Sequence, residues 1–236
     1  YNLPSEAAAL VNPGPWLTTG NLLVAQAVTS PIFILACLAT AGILWFRKSL
    51  LSRIETTVGL AGNPASYRFS LPIQAVVLTF LLALPGPLLL LILAGEVQTL
   101  QETTEFSRAI ATGLIGLAYR FFLLRWLRTL LLPHGLADGF FHWPKRNMIL
   151  LRREAGFLMI SFLPAVFITQ VTFLANSHAG GGYPLGRLLL IGTLSILLFF
   201  FYRFLHPRTG VCQHFLHLHS HQLFARIYPL IFFSIM

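Results

Sequence analysis

Long apolar segments alternate with short polar connectors along the whole chain. Five of these segments are close to the roughly 20 residues that a helix needs to cross about 30 Å of hydrocarbon. A segment inside lipid must satisfy its own backbone hydrogen bonds, so each one is predicted to be helical. The predicted spans are 22–46, 71–94, 110–132, 155–175, 185–205 and an incomplete sixth at 223–236.

Composition supports the same fold class. Hydrophobic residues make up 56% of the 236 residues, charged residues only 10%, and the mean hydropathy is +0.75. A soluble domain carries about 25% charged residues. The two cysteines, Cys37 and Cys212, cannot form a disulfide framework. The sequence therefore predicts an all-α, polytopic membrane protein with five full spans, an incomplete sixth and interfacial helices.

The first 20 residues differ from the rest because they are polar and rich in Pro and Gly. They are predicted to be a periplasmic linker from a preceding domain, and residues 21–236 the transmembrane domain. The chain begins with Tyr1, and its last apolar segment stops after 14 residues, at Met236. We therefore expect the natural protein to continue in both directions.

The cations are strongly asymmetric across the predicted spans. Fourteen of the 16 Lys and Arg residues fall on one side, and only Arg108 and Arg187 fall on the other. Cytoplasmic loops carry the excess of Lys and Arg, so the cation-rich side is predicted to be cytoplasmic, with Tyr1 on the periplasmic side. The net charge of +9 suits an anionic leaflet. No nucleic-acid partner is needed to explain it.

Two connectors have the chemistry of the membrane surface. Residues 135–154 combine aromatic rings, which favour the interface, with cations that can reach lipid phosphates. Residues 47–60 place apolar side chains on one side, as in a helix that lies in the interface. In the first connector Met148, Leu151 and Ala155 share a face. The predicted lipid or interface contacts are Arg47, Lys48, Arg120, Arg125, Arg128, Phe140, Phe141, Trp143, Lys145, Arg146, Arg152 and Arg153.

Arg120 stands apart within this set. It is too close in sequence to Arg108 for the two to lie at opposite surfaces of the membrane. It therefore lies within the hydrocarbon if Arg108 lies at the outer face, which costs at least about 2.5 kcal/mol. Snorkelling toward the cytoplasm is the favoured interpretation, and a lipid phosphate or a buried partner is the alternative.

Helix breakers and small residues mark two further features. Pro85, Gly86 and Pro87 lie in the middle of the second span and predict a kink there. That kink is either a hinge or a static bend, and Pro164 poses the same question in the fourth span. Ala109 with Gly113, and Thr112 with Gly116, have the small-xxx-small spacing of a close helix contact.

A histidine cluster is the one candidate for metal chemistry. His214, His217 and His221 share one helical face, with His219 and Cys212 nearby, and three imidazoles can hold zinc. The segment contains no Asp or Glu to orient them. We therefore favour an amphipathic cytoplasmic loop and expect no metal or other cofactor. No catalytic set is recognisable, so the protein is predicted not to be an enzyme.

Residues 135–154 also resemble a known family. The matching positions are Gly135, Leu136, Ala137, Phe141, Trp143, Leu151, Arg152 and Arg153, preceded by "RWLRTLL". This connector resembles the inner-membrane domain of the large mechanosensitive channels of the MscS superfamily, which include potassium-dependent and miniconductance types. It departs from the family pattern by reading Phe140-Phe141-His142-Trp143. The resemblance extends over about residues 10–236, but its specific part is only the connector.

The resemblance implies a specific assembly. Such channels are homo-oligomers, heptamers of the bacterial inner membrane that open under osmotic downshock. Their peripheral helices surround a pore formed by a later Gly/Ala-rich helix, so these 236 residues would be the tension-sensing outer part. The alternatives are a multi-pass solute or ion transporter, a membrane enzyme that uses the histidine cluster, and a membrane anchor for a periplasmic domain. The predicted spans contain no acidic residue and no repeat, which argues against a transporter.

Overall fold

The computed structural model describes residues 12–61, 70–99, 105–132, 135–139, 143–175 and 184–205, and these ranges are almost entirely helical. The helices are α1 Pro13–Thr29, α2 Pro31–Trp45, α3 Arg47–Ala61, α4 Ser70–Ala83, α5 Pro85–Gln98, α6 Glu105–Leu130, α7 Leu136–Gly139, α8 Lys145–Ala175 and α9 Pro184–Leu205. The predicted all-α class is confirmed for the described residues. The predicted sixth span lies outside them.

The predicted number of five full spans is not confirmed, and only a range can be given for the described residues. Three single helices, α6, α8 and α9, are long and apolar enough to cross a membrane. Two further spans exist only if each of two bent helix pairs is counted as one. The described residues therefore contain three to five candidate spans.

The first predicted span, 22–46, is broken at Ser30. Helices α1 and α2 meet there at an angle of 80°. Pro31 is the first residue of α2, a position where its missing N–H is tolerated but where its ring stops the preceding helix. The Ser30 hydroxyl caps α2 by accepting a long, 3.4 Å hydrogen bond from the Phe33 N–H. Helix α1 begins at Pro13, inside the stretch predicted to be a linker.

The second span is broken where the Pro-Gly-Pro sequence predicts it. Helices α4 and α5 meet at Leu84 at 52°, and α5 begins with Pro85. Both Pro85 and Pro87 are buried. The predicted kink is therefore confirmed.

Helix α8 unites two features that the sequence separates. It runs without interruption from the connector residue Lys145 to Ala175, and Pro164 lies inside it without ending it. Met148, Leu151 and Ala155 are all buried, as their predicted common face requires. The part of the connector from Lys145 onward is thus a direct extension of the fourth span.

Helix α6 is the centre of the bundle and packs against α4, α5 and α8. Helix α9 packs against α8. Small residues let α6 and α8 approach closely. A Cβ on Gly113 would lie 3.1 Å from Val171 Cγ2 and 3.2 Å from Phe167 Cε2. Ala109 is buried, so the predicted contact of Ala109 and Gly113 is confirmed, whereas Thr112 faces outward. The main core cluster is Ala94, Val97, Ala109, Ile110, Ala111, Leu114 and Val171.

Large apolar side chains also cover the outside of the bundle. Trp45, Ile149 and Ile160 are among the most exposed. Exposed apolar surface on this scale would be unfavourable in water. It is the surface that helices present to lipid.

Candidate functional site

Four arginines meet at one end of the bundle. Arg47, Arg125, Arg128 and Arg152 come from three helices and line one pocket of about 280 Å³. The other four lining residues are Leu82, Thr129, Leu132 and Met159. We call this site the arginine pocket.

Local structure fixes each side of the arginine pocket. Arg125 and Arg128 are one turn apart on α6, and the Thr129 hydroxyl donates to the Arg125 carbonyl over 2.8 Å. The Arg125 guanidinium lies 5.8 Å from the centre of the Phe121 ring, a cation–π distance. Arg47 is the first residue of α3, directly after the turn at Phe46 that ends α2. Arg152 lies two turns before Met159 on α8.

A buried carboxylate lies near the same end but outside the pocket. The Glu154 side chain is 2% exposed. It accepts hydrogen bonds from Arg203 Nε at 2.9 Å and from Arg153 Nη2 at 3.2 Å. The ion pair of Glu154 with Arg203 connects the end of α9 with the first half of α8. Glu154 is buried while both arginine side chains are partly exposed, so removing Arg203 would leave a buried carboxylate with one charged partner fewer.

The opposite end of the bundle is built from different groups. The Ser30 hydroxyl donates to Glu96 Oε1, and Glu96 is 9% exposed. Nearby, Gln26 Nε2 donates to Thr99 Oγ1 over 2.7 Å. Trp16 packs edge-on against Phe106, with ring centres 5.0 Å apart. The two ends therefore differ in charge: cations gather at one, and hydroxyl, amide and carboxylate groups at the other.

One comparison with known proteins decides the family. The family model described as "Mechanosensitive ion channel inner membrane domain 1" matches residues 30–236, most of the chain. The chain belongs to this family. No curated protein and no solved structure matches it.

The family membership agrees with the apolar helices. This chain is a multi-pass transmembrane part of a mechanosensitive ion channel of the inner membrane. The resemblance seen in residues 135–154 is thereby confirmed at the level of the superfamily domain. A channel domain is not an enzyme family, which fits the predicted absence of catalysis.

The predicted interface residues of the channel domain fall into two groups. Lys48, Lys145, Arg146 and Arg153 are exposed. Trp143 is half-buried and packs against a second apolar cluster, formed by Leu131, Ala137, Met148 and Leu151. Phe140, Phe141 and the histidine cluster lie outside the described residues.

Arg120 has a polar neighbour inside the channel domain. Its Nη1 donates to the Gly116 carbonyl of the same helix over 3.0 Å. A Cβ on Gly116 would lie 2.9 Å from that nitrogen and 2.5 Å from Gln170 Oε1 on α8. The absence of a side chain at Gly116 thus makes room for an amide and a guanidinium between the two helices. Gln170 Oε1 is buried and accepts no hydrogen bond among the described residues.

The proposed hinge residues are tightly packed. A Cβ on Gly86 would lie 2.6 Å from Phe121 Cε1 and 2.8 Å from Arg125 Nη1. The break between α4 and α5 therefore rests directly on the arginine-bearing face of α6. Contacts this close fit a packed bend better than a loose hinge.

Sequence reasoning found the arginines but not their arrangement. It missed the Ser30–Glu96 and Glu154–Arg203 pairs, whose members are 66 and 49 positions apart. One signal was present: Glu154 is a lone acid directly after Arg152 and Arg153. A carboxylate beside a membrane span is expected to have a partner.

Proposed function

We propose that this domain senses membrane tension at the periphery of a mechanosensitive channel that opens under osmotic downshock. The observation that carries the proposal is the division of the bundle: apolar side chains face outward, and cations gather at one end. Tension favours whichever state has the larger area in the membrane plane, and only that difference moves the equilibrium. A domain held in the lipid and anchored to one leaflet follows such changes in area.

We further propose that these helices do not line the pore. Small and apolar residues form the main core between α6, α5 and α8, and Arg120 and Gln170 add one local polar site between α6 and α8. These described contacts offer ions no continuous row of polar side chains. The pore then belongs to another segment of the channel, and the domain acts on it from outside. Assembly as a homo-oligomer, a heptamer by resemblance to the large channels of the superfamily, belongs to this proposal.

The orientation is part of the proposal. The cationic end would face the cytoplasm, and the end that holds Glu96 the periplasm, because Lys and Arg concentrate on the cytoplasmic side of membrane proteins. Single cysteines placed at Gln98 and at Lys145, in a chain free of other cysteines, should react with an impermeant thiol reagent from opposite sides. Labelling of position 145 from the periplasm would overturn the orientation.

The tension-sensing role can be tested in patch recordings of the full-length channel. Lys145 and Arg146 are exposed at the start of α8. Each contributes about 1 kcal/mol near an anionic surface. Replacing both with Gln would shift the open–closed balance by at most about 30-fold, and by less if both states use the contact. We expect a moved tension threshold and an unchanged unitary conductance.

The matched control removes two exposed cations from the other end, Arg108→Gln with Arg187→Gln, and should move the threshold less. A changed conductance with an unmoved threshold would put the α8 cations in the ion path and refute the proposal. Unchanged threshold and conductance would favour the alternative of a plain membrane anchor for a periplasmic domain. Substrate uptake without tension would instead favour a transporter.

A further inference from the structure

We propose that the arginine pocket binds the phosphate of one anionic phospholipid of the cytoplasmic leaflet. This is a defined site for a single headgroup, distinct from the general attraction of surface cations to a charged membrane. It rests on the proposed orientation and on the geometry of the pocket. It does not depend on the tension-sensing role.

The charge of the pocket favours the binding of an anion. Four arginines line it, and no Asp or Glu is among its eight described lining residues. Like charges repel, and the repulsion is stronger near a protein surface than in bulk water. The neighbouring Arg153 and Arg203 have Glu154 as a partner, whereas the described lining of the pocket offers its four arginines no carboxylate. An anion from outside the protein would be such a partner for the pocket.

The shape of the donors selects phosphate among anions. A guanidinium presents a planar fork of N–H donors that matches two phosphate oxygens at once. Arg47, Arg125 and Arg152 belong to three different helices, so the pocket combines donors from three sides of the bundle end. The volume of about 280 Å³ lies just below the range of small-molecule sites, which begins at about 300 Å³. It suits a headgroup whose acyl chains remain in the bilayer.

The depth and the apolar wall select a lipid over free phosphate. Arg125 is 20 positions after Glu105, the first residue of α6, or about 30 Å along the helix. That distance matches the thickness of the hydrocarbon core, so this end of α6 lies near the headgroups of one leaflet if Glu105 lies at the opposite surface. Leu82, Leu132 and Met159 complete the lining with apolar surface. A soluble anion would leave that surface unused, whereas the glycerol and ester region of a phospholipid would cover it.

The test uses the purified, delipidated full-length channel in a neutral detergent. Phosphatidylglycerol is titrated against thermal unfolding, with phosphatidylcholine and inorganic phosphate in separate arms. We expect phosphatidylglycerol to raise the unfolding temperature saturably, and neither of the other two to match it. Arg47→Gln and Arg128→Gln should each weaken the apparent affinity for phosphatidylglycerol at least tenfold. Both side chains are exposed, so neither change removes core packing.

Arg53→Gln is the matched control. It removes the same charge from an exposed position on α3 outside the pocket, and it should leave the affinity within about twofold. In the absence of lipid, the two pocket variants should unfold at the same temperature as the parent or at a higher one, because each relieves repulsion among like charges. A merely structural role for these arginines predicts a lower temperature in both conditions.

Three results would overturn the proposal. The lipid effect could persist in both pocket variants, it could be lost to the same extent in Arg53→Gln, or inorganic phosphate could stabilise as well as the lipid does. The last result would assign the pocket to a soluble anion. The readout is lipid binding, so it can succeed while the tension threshold fails to move, and the two proposals remain separable.

Discussion

The two bent helix pairs reach similar shapes by different chemistry. At the first, between α1 and α2, Ser30 caps the new helix and hydrogen-bonds to Glu96 on α5. At the second, between α4 and α5, Leu84 makes no side-chain cap. Gly86 instead lies against Phe121 and Arg125 of α6. The first bend is held by polar pairing and the second by steric fit.

The two bends therefore depend on different properties of their residues. A hydrogen-bonded bend depends on a few atoms, so a single change to a capping residue weakens it. A packed bend depends on the space between two helices, so it is sensitive to added volume and insensitive to polarity. The second bend also rests on the face that forms the arginine pocket. Substitutions at Gly86 should therefore alter the affinity of the arginine pocket for its ligand, whereas substitutions at Ser30 should not.

The largest effect is expected from Gly86→Ala. The new methyl would approach Phe121 Cε1 and Arg125 Nη1 to less than 3 Å. The arginine tip can move away, but the Phe121 ring is stiff and must shift with its helix. Overpacking of this kind costs about 1–3 kcal/mol. We expect a lower unfolding temperature for the purified domain and a changed affinity of the arginine pocket for phosphatidylglycerol.

Gly95→Ala is the control on the same helix. No atom lies within 4 Å of its missing Cβ, and the residue is exposed. Removing a helical glycine without a clash should stabilise the domain by about 0.5–1 kcal/mol. Equal stabilisation by Gly86→Ala would mean that the second bend is loosely packed, which would revive the hinge interpretation of Pro85–Pro87.

Patterns within one segment were enough to predict much of this fold. The lengths of the apolar segments predicted α6, α8 and α9 to within a few residues at most ends. The Pro-Gly-Pro sequence predicted the second bend. The continuity of α8 was missed because residues 145–154 were assigned to the surface connector and the span was predicted to begin at residue 155. A single helix carries them because their apolar face, with Met148 and Leu151, packs on the protein.

The first bend could not be predicted in the same way. Ser30–Pro31 is a brief interruption inside an apolar segment, and proline is tolerated at a helix start as well as inside membrane helices. Pro31 ends the first helix, and the hydrogen bond from Ser30 to Glu96 holds the bend. Glu96 is far away in sequence and is buried in the folded bundle. The arginine pocket has the same origin. Its four cations were each visible in the sequence, but their convergence from three helices is a product of the packing of α6.

A smaller effect is expected from Ser30→Ala, which tests the polar bend alone. The change removes the cap of α2 and the hydroxyl that Glu96 accepts from. Losing a capping side chain costs about 0.5–2 kcal/mol, and the buried carboxylate is left with one donor fewer.

Ser195→Ala is the control, because that exposed hydroxyl only donates to the Ile191 carbonyl of its own helix. We expect hydrogen exchange to accelerate in α1 and the start of α2 for Ser30→Ala alone, while phosphatidylglycerol affinity stays unchanged. If exchange accelerated equally around Gly86, the two bends would be one cooperative unit, and the contrast between polar pairing and steric fit would be wrong.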